Sequence, residues 1–313
     1  MEHKYFTVQS KIDGLELQAL MILPESEIKG IVQFSHGMAE HKERYFDFMN
    51  YLAEKGFASV IHDHRGHGSS VKEAKDLGYF YDETGEAIIE DLHQITMEIK
   101  KQFPNIPIIL FGHSMGSLVA RSYLKNYDTD IDKAIICGAP ANNPLIVPAL
   151  LIVAFLKMLY GDRHRSKFIQ NLTFGSHNKK VGEENLKNAW LCSNHQVVEE
   201  YNKDELCGFT FTLNGFKNLF YLVQNTYSKS GWKLANTDLP ILFIAGEADP
   251  VISGEKAWFD AQRFLQNRGY KTVKGILYDN MRHEILNEQN KHLVFSDVVN
   301  WMTNQLEEQT ELT

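Results

Sequence analysis

The fold class the sequence predicts is α/β: a mostly parallel eight-stranded sheet with helices on both faces and a helical cap insertion. Three observations predict it. Short apolar runs alternate with helical stretches from residue 30 onward, and that rhythm demands parallel strands, because each crossover must carry the chain back over the sheet. Ahead of residue 30, two strand-like runs follow one another with no helix between them, which gives an antiparallel edge. Between Ala139 and Asp238 the rhythm breaks, and the composition turns helical and aromatic without strand signals.

Taken in order, the edge strands fall near residues 4–9 and 16–23. Gly30-Ile31-Val32-Gln33-Phe34-Ser35 reads as the third strand, followed by a helix near 43–55, the fourth strand near 58–63 and a helix near 83–101. The apolar run Ile106-Pro107-Ile108-Ile109-Leu110-Phe111 is long enough for a buried strand and too short for a helix. A helix near 115–126 and a sixth strand near 133–138 come next. Pro240 to Gly246 reads as a buried parallel strand, 254–267 as a helix, Thr272 to Tyr278 as the last strand and 293–307 as the last helix. The core is thus expected in two parts, 1–139 and 239–313, with the cap insertion at 140–238.

The chain of 313 residues is longer than a minimal core of this class and short for two independent domains. Its net charge of −8 excludes a nucleic-acid partner, whose phosphates demand a basic surface, and offers anionic lipid no polybasic attraction. The opening Met1-Glu2-His3-Lys4-Tyr5-Phe6 lacks the apolar core of a signal peptide. Three cysteines, Cys137, Cys192 and Cys207, are too few and odd in number for a disulfide framework, so a cytoplasmic location is expected.

Directly after the fifth strand stands Gly112-His113-Ser114-Met115-Gly116, a G-x-S-x-G pentapeptide in strand-to-helix context. A serine on such a sharp turn needs flanking glycines, because side chains there would collide with neighbouring backbone. Its hydroxyl needs a base, and the base an orienting acid. Asp249 lies at the carboxyl end of the Pro240 to Gly246 strand, where open α/β sheets keep their reactive groups, with Glu247 as its local rival. His283 follows the last strand, whereas His177, His195 and His292 lack that placement; Arg282 beside it is expected to pair with a carboxylate at the surface. Ser114, Asp249 and His283 are therefore the expected catalytic set. An anion formed on attack needs two backbone N–H donors, which Met115 and, in the loop after the third strand, Met38 would supply, with Gly37 letting the chain turn.

These segments, together with Asp63-His64-Arg65-Gly66-His67-Gly68-Ser69-Ser70 and His36-Gly37-Met38-Ala39-Glu40-His41, resemble the monoacylglycerol lipase and lysophospholipase branch of the α/β-hydrolases. The resemblance covers nearly the whole chain. It implies a serine hydrolase cleaving glycerol esters of fatty acids through an acyl-enzyme, with the oxyanion hole at Met38 and Met115 and no cofactor. Lysophospholipids, acyl thioesters, small esters and peptide N-termini are the alternative substrates, and a binding protein on a hydrolase scaffold is the alternative from another class. An intact triad and oxyanion loop speak against the last, since a binder needs neither.

The run His62-Asp63-His64-Arg65-Gly66-His67 suggests a metal site, but Gly66 stands where the metal-binding pattern needs an aspartate, so a structural loop is expected and no metal is assigned. Leu145 to Tyr160 carries only Lys157 as a charge and is apolar on every face. It is too short to span a bilayer and contains Pro148, so it is expected either to pack over the site and touch a membrane surface transiently, or to lie buried between cap and core. Phe209, Phe211, Leu213, Phe216, Leu219, Phe220 and Leu222 are read mainly as core.

Overall fold

The computed structural model describes residues 1–303. Among these, eight strands form one sheet: β1 (Glu2–Gln9), β2 (Glu16–Leu23), β3 (Gly30–Ser35), β4 (Phe57–His62), β5 (Ile108–His113), β6 (Lys133–Cys137), β7 (Ile241–Gly246) and β8 (Val273–Tyr278). Their spatial order is β1-β2-β4-β3-β5-β6-β7-β8. The β1–β2 and β2–β4 pairings are antiparallel and all others parallel. The antiparallel edge and the parallel body are those the alternation pattern predicts.

Every residue of β3, β4, β5 and β7 is buried, which explains why they read as continuous apolar runs rather than alternating ones. The period-two alternation divides their side chains between two layers. Ile31, Leu110, Ile136 and Phe243 join one core, closed by α2 (Ala87–Gln102), α3 (Met115–Tyr127) and α9 (Glu255–Gln266). Val32, Phe111, Ile135 and Ile244 join the other, closed by α1 (Phe46–Glu54) and α10 (Lys291–Met302).

Boundaries shift where local chemistry competes. The long helix starts at Ala87 rather than 83, because the Asp82 carboxylate accepts hydrogen bonds from the Glu83 and Ala87 amides and the Thr84 hydroxyl, and Gly85 takes φ +74°. The fifth strand begins after Pro107 and runs on through His113, so two residues of the pentapeptide are strand. The final helix is seen to Met302; residues 304–307 of the expected helix lie outside the described residues.

Between β6 and β7 the chain forms α4 (Ile146–Tyr160), α5 (Lys167–Phe174), α6 (His177–Lys180), α7 (His195–Lys203) and α8 (Leu213–Thr226). α8 packs on α3, and α4 packs on α8. Phe211, Leu213, Phe216 and Leu222 are fully buried in the core, whereas Phe209, Leu219 and Phe220 also face a cavity. The reading of α4 as a buried helix is wrong. Only Ile146 and Val153 are buried, while Leu151, Phe155, Met158 and Tyr160 are 69%, 56%, 74% and 61% exposed.

Candidate active site

Ser114 stands between the end of β5 and the start of α3 at φ +54°, ψ −117°, a strained conformation for a residue with a side chain. The surrounding structure enforces it. The Ser114 amide donates to Cys137 O (2.9 Å), and its carbonyl accepts from the Ser117 amide (2.9 Å) and hydroxyl (2.7 Å). A Cβ at Gly116 would stand 1.9 Å from Ser35 O and one at Gly112 2.5 Å from Gly116 O, so the turn cannot close around larger residues.

The loops after β7 and β8 bring an acid to a histidine. His283 Nδ1 lies 2.8 Å from Asp249 Oδ2, both residues are 2% exposed, and Asp249 Oδ1 accepts from the Val251 amide at 2.8 Å. Glu247 is exposed, so the carboxylate that meets His283 is Asp249. Gly138, at φ +56° after β6, makes room for the ring: a Cβ there would lie 3.0 Å from His283 Cε1. Ser114 and His283 line the same cavity, without a hydrogen bond between hydroxyl and imidazole in this conformation. Arg282 pairs with Glu183, but not at the surface: it is 9% exposed and also donates to Ala189 O (2.7 Å) and Cys192 O (3.2 Å), tying the histidine loop to the insertion.

Met38 and Met115 line this cavity too, and neither amide has an acceptor among the described residues. The loop holding Met38 is braced from behind. Glu40 accepts from the Gly37 amide (2.5 Å) and the Tyr45 hydroxyl (3.0 Å), and lies 3.3 Å from His113 Nδ1. Arg44 donates to Glu40 (2.7 Å) and, through two nitrogens, to Glu284 (2.7 and 2.6 Å). Burial works against the charged form of Glu40, but the His113 hydrogen bond and the Arg44 guanidinium outweigh it and hold the carboxyl well below its usual range. His113 is likewise opposed by burial yet raised by Glu40. Sequence reasoning missed this network because its members lie on three separated segments. Gly37 shows its constraint directly, since a Cβ there would stand 2.6 Å from Glu40 Oε1.

The cavity measures about 680 Å³, a size usual for small-molecule sites. One wall is aliphatic and aromatic: Ile146, Ala149 and Ile152 from α4, and Leu219, Phe220 and Val223 from α8. Leu151, on the exposed side of α4, is not part of that wall. Near the histidine the lining turns polar, with Ser176, His177, Asn188 and Trp190, whose ring centroid is 5.1 Å from that of His283. Burial drops His177 to about 4 and keeps it neutral. Glu40 and Glu284 are the lining carboxylates, and both are paired with Arg44.

His62, His64 and His67 are buried outside the cavity lining and packed ring against ring with His36; the His36 and His64 centroids are 4.4 Å apart. Burial drops His36 and His62 to about 4 and His67 to about 3. Asp63 shapes the loop, accepting from the Lys42 amide (2.9 Å) and ammonium (2.7 Å) and the Ser69 amide (2.9 Å).

Residues 26–290 match the family model described as serine aminopeptidase, S33. The monoacylglycerol lipase of Mycolicibacterium smegmatis is 26% identical over 94% of this chain and 95% of its own length. The human monoglyceride lipase is 26% identical over 93% and 88%. A thermostable carboxyl esterase from Bacillus coagulans, solved in complex with glycerol, superposes with a TM-score of 0.85 at 24% identity, over 97% of this chain and 99% of that one. A monoglyceride lipase from Saccharomyces cerevisiae gives 0.68 at 18%, over 95% and 93%. The chain belongs to the α/β-hydrolases, in the family described as serine aminopeptidase S33 and on the branch that includes the monoacylglycerol lipases.

Proposed function

We propose that this protein is a serine ester hydrolase acting on single-chain lipid esters such as monoacylglycerols, through an acyl-enzyme. The observation that carries the reading is the strained Ser114 in one cavity with His283, whose Nδ1 is held 2.8 Å from buried Asp249. Ser114 Oγ attacks the ester carbonyl as His283 Nε2 takes its proton, and Asp249 holds the tautomer and stabilises the imidazolium. The Met38 and Met115 amides stabilise the oxyanion. His283 returns the proton to the leaving alcohol, and water, activated by the same imidazole, releases the fatty acid. No cofactor takes part.

The aliphatic wall from α4 and α8 suits an acyl chain, and the similarity to monoacylglycerol lipases favours a glycerol head group. Cleavage at a peptide N-terminus would require a free anionic group for the substrate's ammonium. The lining carboxylates are already committed to Arg44, which favours a neutral ester. Residues 140–238 act as the cap, and the exposed apolar face of α4 rests transiently on the lipid surface from which substrate enters. Among the described residues no helix is long and apolar enough to cross a membrane.

The test is fluorophosphonate labelling combined with turnover on monoacylglycerols, lysophospholipids, acyl thioesters, p-nitrophenyl esters and aminoacyl amides. Stoichiometric labelling lost in Ser114→Ala, with turnover falling about 10³-fold or more in the folded variant, is expected. Labelling that persists at another serine removes Ser114 from the mechanism, and a preference for aminoacyl amides removes the lipid ester.

A further inference from the structure

The chain just past the oxyanion loop meets the segment between α7 and α8 at His41, Asp204 and Cys207. His41 Nε2 lies 2.9 Å from Asp204 Oδ2, and one donor atom from each of the three residues lies within 4.8 Å of the others. No other group of three ligating side chains converges this way among the described residues. Imidazole, carboxylate and thiolate form a donor set suited to a zinc-type cation, whereas magnesium and calcium prefer oxygen alone.

The arrangement around the donors fits the same chemistry. His41 Nδ1 lies 2.7 Å from Glu43 Oε2, and a carboxylate on the far nitrogen is what fixes the tautomer and ring orientation of metal-binding histidines. Tetrahedral zinc, with bonds of about 2.0 Å to nitrogen and oxygen and 2.3 Å to sulfur, sets its donors roughly 3.3–3.6 Å apart. His41 and Asp204 therefore need to separate by only a few tenths of an ångström. His41 and Cys207 are each 8% exposed, while the Asp204 side chain is 37% exposed. The site is walled by protein on two sides and open at the carboxylate, where water can complete the shell. Arg44 is the nearby opposing charge, and it is already neutralised by Glu40 and Glu284.

We propose that His41, Asp204 and Cys207 bind a zinc-type divalent cation that clips the helical insertion to the oxyanion loop. Ala39, next to Met38, already receives hydrogen bonds from the Tyr201 hydroxyl of α7 and the Gly208 amide of the segment that follows it (both 2.9 Å). A cation held by residues on both sides would fix that seam. Binding replaces the Cys207 S–H bond by a sulfur–metal bond and the His41 Nε2–H bond, whose hydrogen Asp204 accepts, by a nitrogen–metal bond, and both protons go to solvent. The site is independent of which ester Ser114 cleaves.

Cobalt(II) and zinc(II) chlorides added to the chelator-treated full chain test it. One equivalent of cobalt is expected to give a thiolate-to-metal charge-transfer band in the near ultraviolet. Saturating zinc is expected to bleach that band and raise Tm by something on the order of 5 °C. Both effects should vanish in Cys207→Ser and weaken at least tenfold in affinity in Asp204→Asn, whose half-exposed position spares the fold. They should survive in His195→Gln, a surface histidine elsewhere on the insertion. Near-ultraviolet circular dichroism and fluorophosphonate labelling report folding of each variant. Absence of the band in the wild type overturns the proposal, as does a band or Tm shift that persists in folded Cys207→Ser or is unchanged in Asp204→Asn.

Discussion

Replacing Arg44 by methionine isolates what the buried ion network contributes. The guanidinium joins Glu40 on the loop of Met38 to Glu284 beside His283, and the side chains of Arg44, Glu40 and Glu284 are only 11%, 5% and 4% exposed. Removing one partner of a buried ion pair costs about 3–5 kcal/mol, because the remaining charge stays desolvated. The two carboxylates are not left equally bare. Glu40 keeps the Gly37 amide, the Tyr45 hydroxyl and His113, whereas Glu284 keeps only the Asn287 amide group (3.0 Å), so most of the loss falls on Glu284. In the wild type both carboxyls titrate below their unfolded value: burial opposes the charged form, but His113 and Arg44 outweigh it at Glu40, and Arg44 outweighs it at Glu284. Their contribution is therefore present above the unfolded value and lost as pH falls through the lowered folded values. In Arg44→Met, burial and repulsion from Glu40 push the Glu284 carboxyl above the unfolded value, while His113 still favours charged Glu40, so the penalty is full at about pH 8 and shrinks on acidification toward about pH 5. Urea denaturation of both proteins at the two pH values measures this. A loss under about 1 kcal/mol at the higher pH, or a deficit that grows on acidification, refutes the reasoning.

Three further outcomes are expected. Asp249→Asn should lower kcat by orders of magnitude while Glu247→Gln changes it little, since only Asp249 reaches His283; steady-state rates giving the reverse order would transfer the role to Glu247. Along a series of saturated acyl esters, kcat/KM should rise several-fold per added pair of carbons until the cavity is filled, at up to about 0.8 kcal/mol per methylene. Val223→Asp, on the apolar wall, should then penalise long chains more than acetate, and equal penalties in a folded variant would take the chain out of that wall. Phe155→Asp together with Met158→Asp, on the exposed face of α4, should reduce co-sedimentation with lipid vesicles and leave p-nitrophenyl acetate turnover unchanged; undiminished vesicle binding would remove the lipid-surface role of α4.

The parallel body of the sheet was legible because its strands are buried on both faces and their sequences are nearly continuous apolar runs. The sharp turn at Ser114 was legible because Gly112 and Gly116 answer a clash that would exist in any sequence taking that turn. What could not be read arises from long-range pairing. Arg44 reaches Glu284 across 240 positions, His41 reaches Asp204 across 163, and the Trp190 ring meets that of His283 at a tilt of 42° from a segment with no periodic signal. Composition alone could not choose between the two readings of α4. An all-apolar helix need not be enclosed: Val153 turns inward toward the core, while most of the circumference stays open.

The partition of charge around the cavity links fold to chemistry. Glu40, Arg44 and Glu284 satisfy one another between the loops of Met38 and His283, and burial keeps His36, His62 and His67 neutral. Positional rigidity is thereby obtained from ionic and polar groups without presenting an unpaired carboxylate to the substrate. A site of low polarity strengthens whatever charge develops inside it, so in the proposed mechanism the two amides of Met38 and Met115, which have no acceptor among the described residues, would interact with an oxyanion more strongly than in water. A free carboxylate on the lining would oppose that anion through the same low dielectric. Pairing Glu40 and Glu284 with Arg44 would therefore serve the proposed reaction as well as the fold, and loss of Arg44 should lower kcat on even the shortest esters, where no acyl wall is involved.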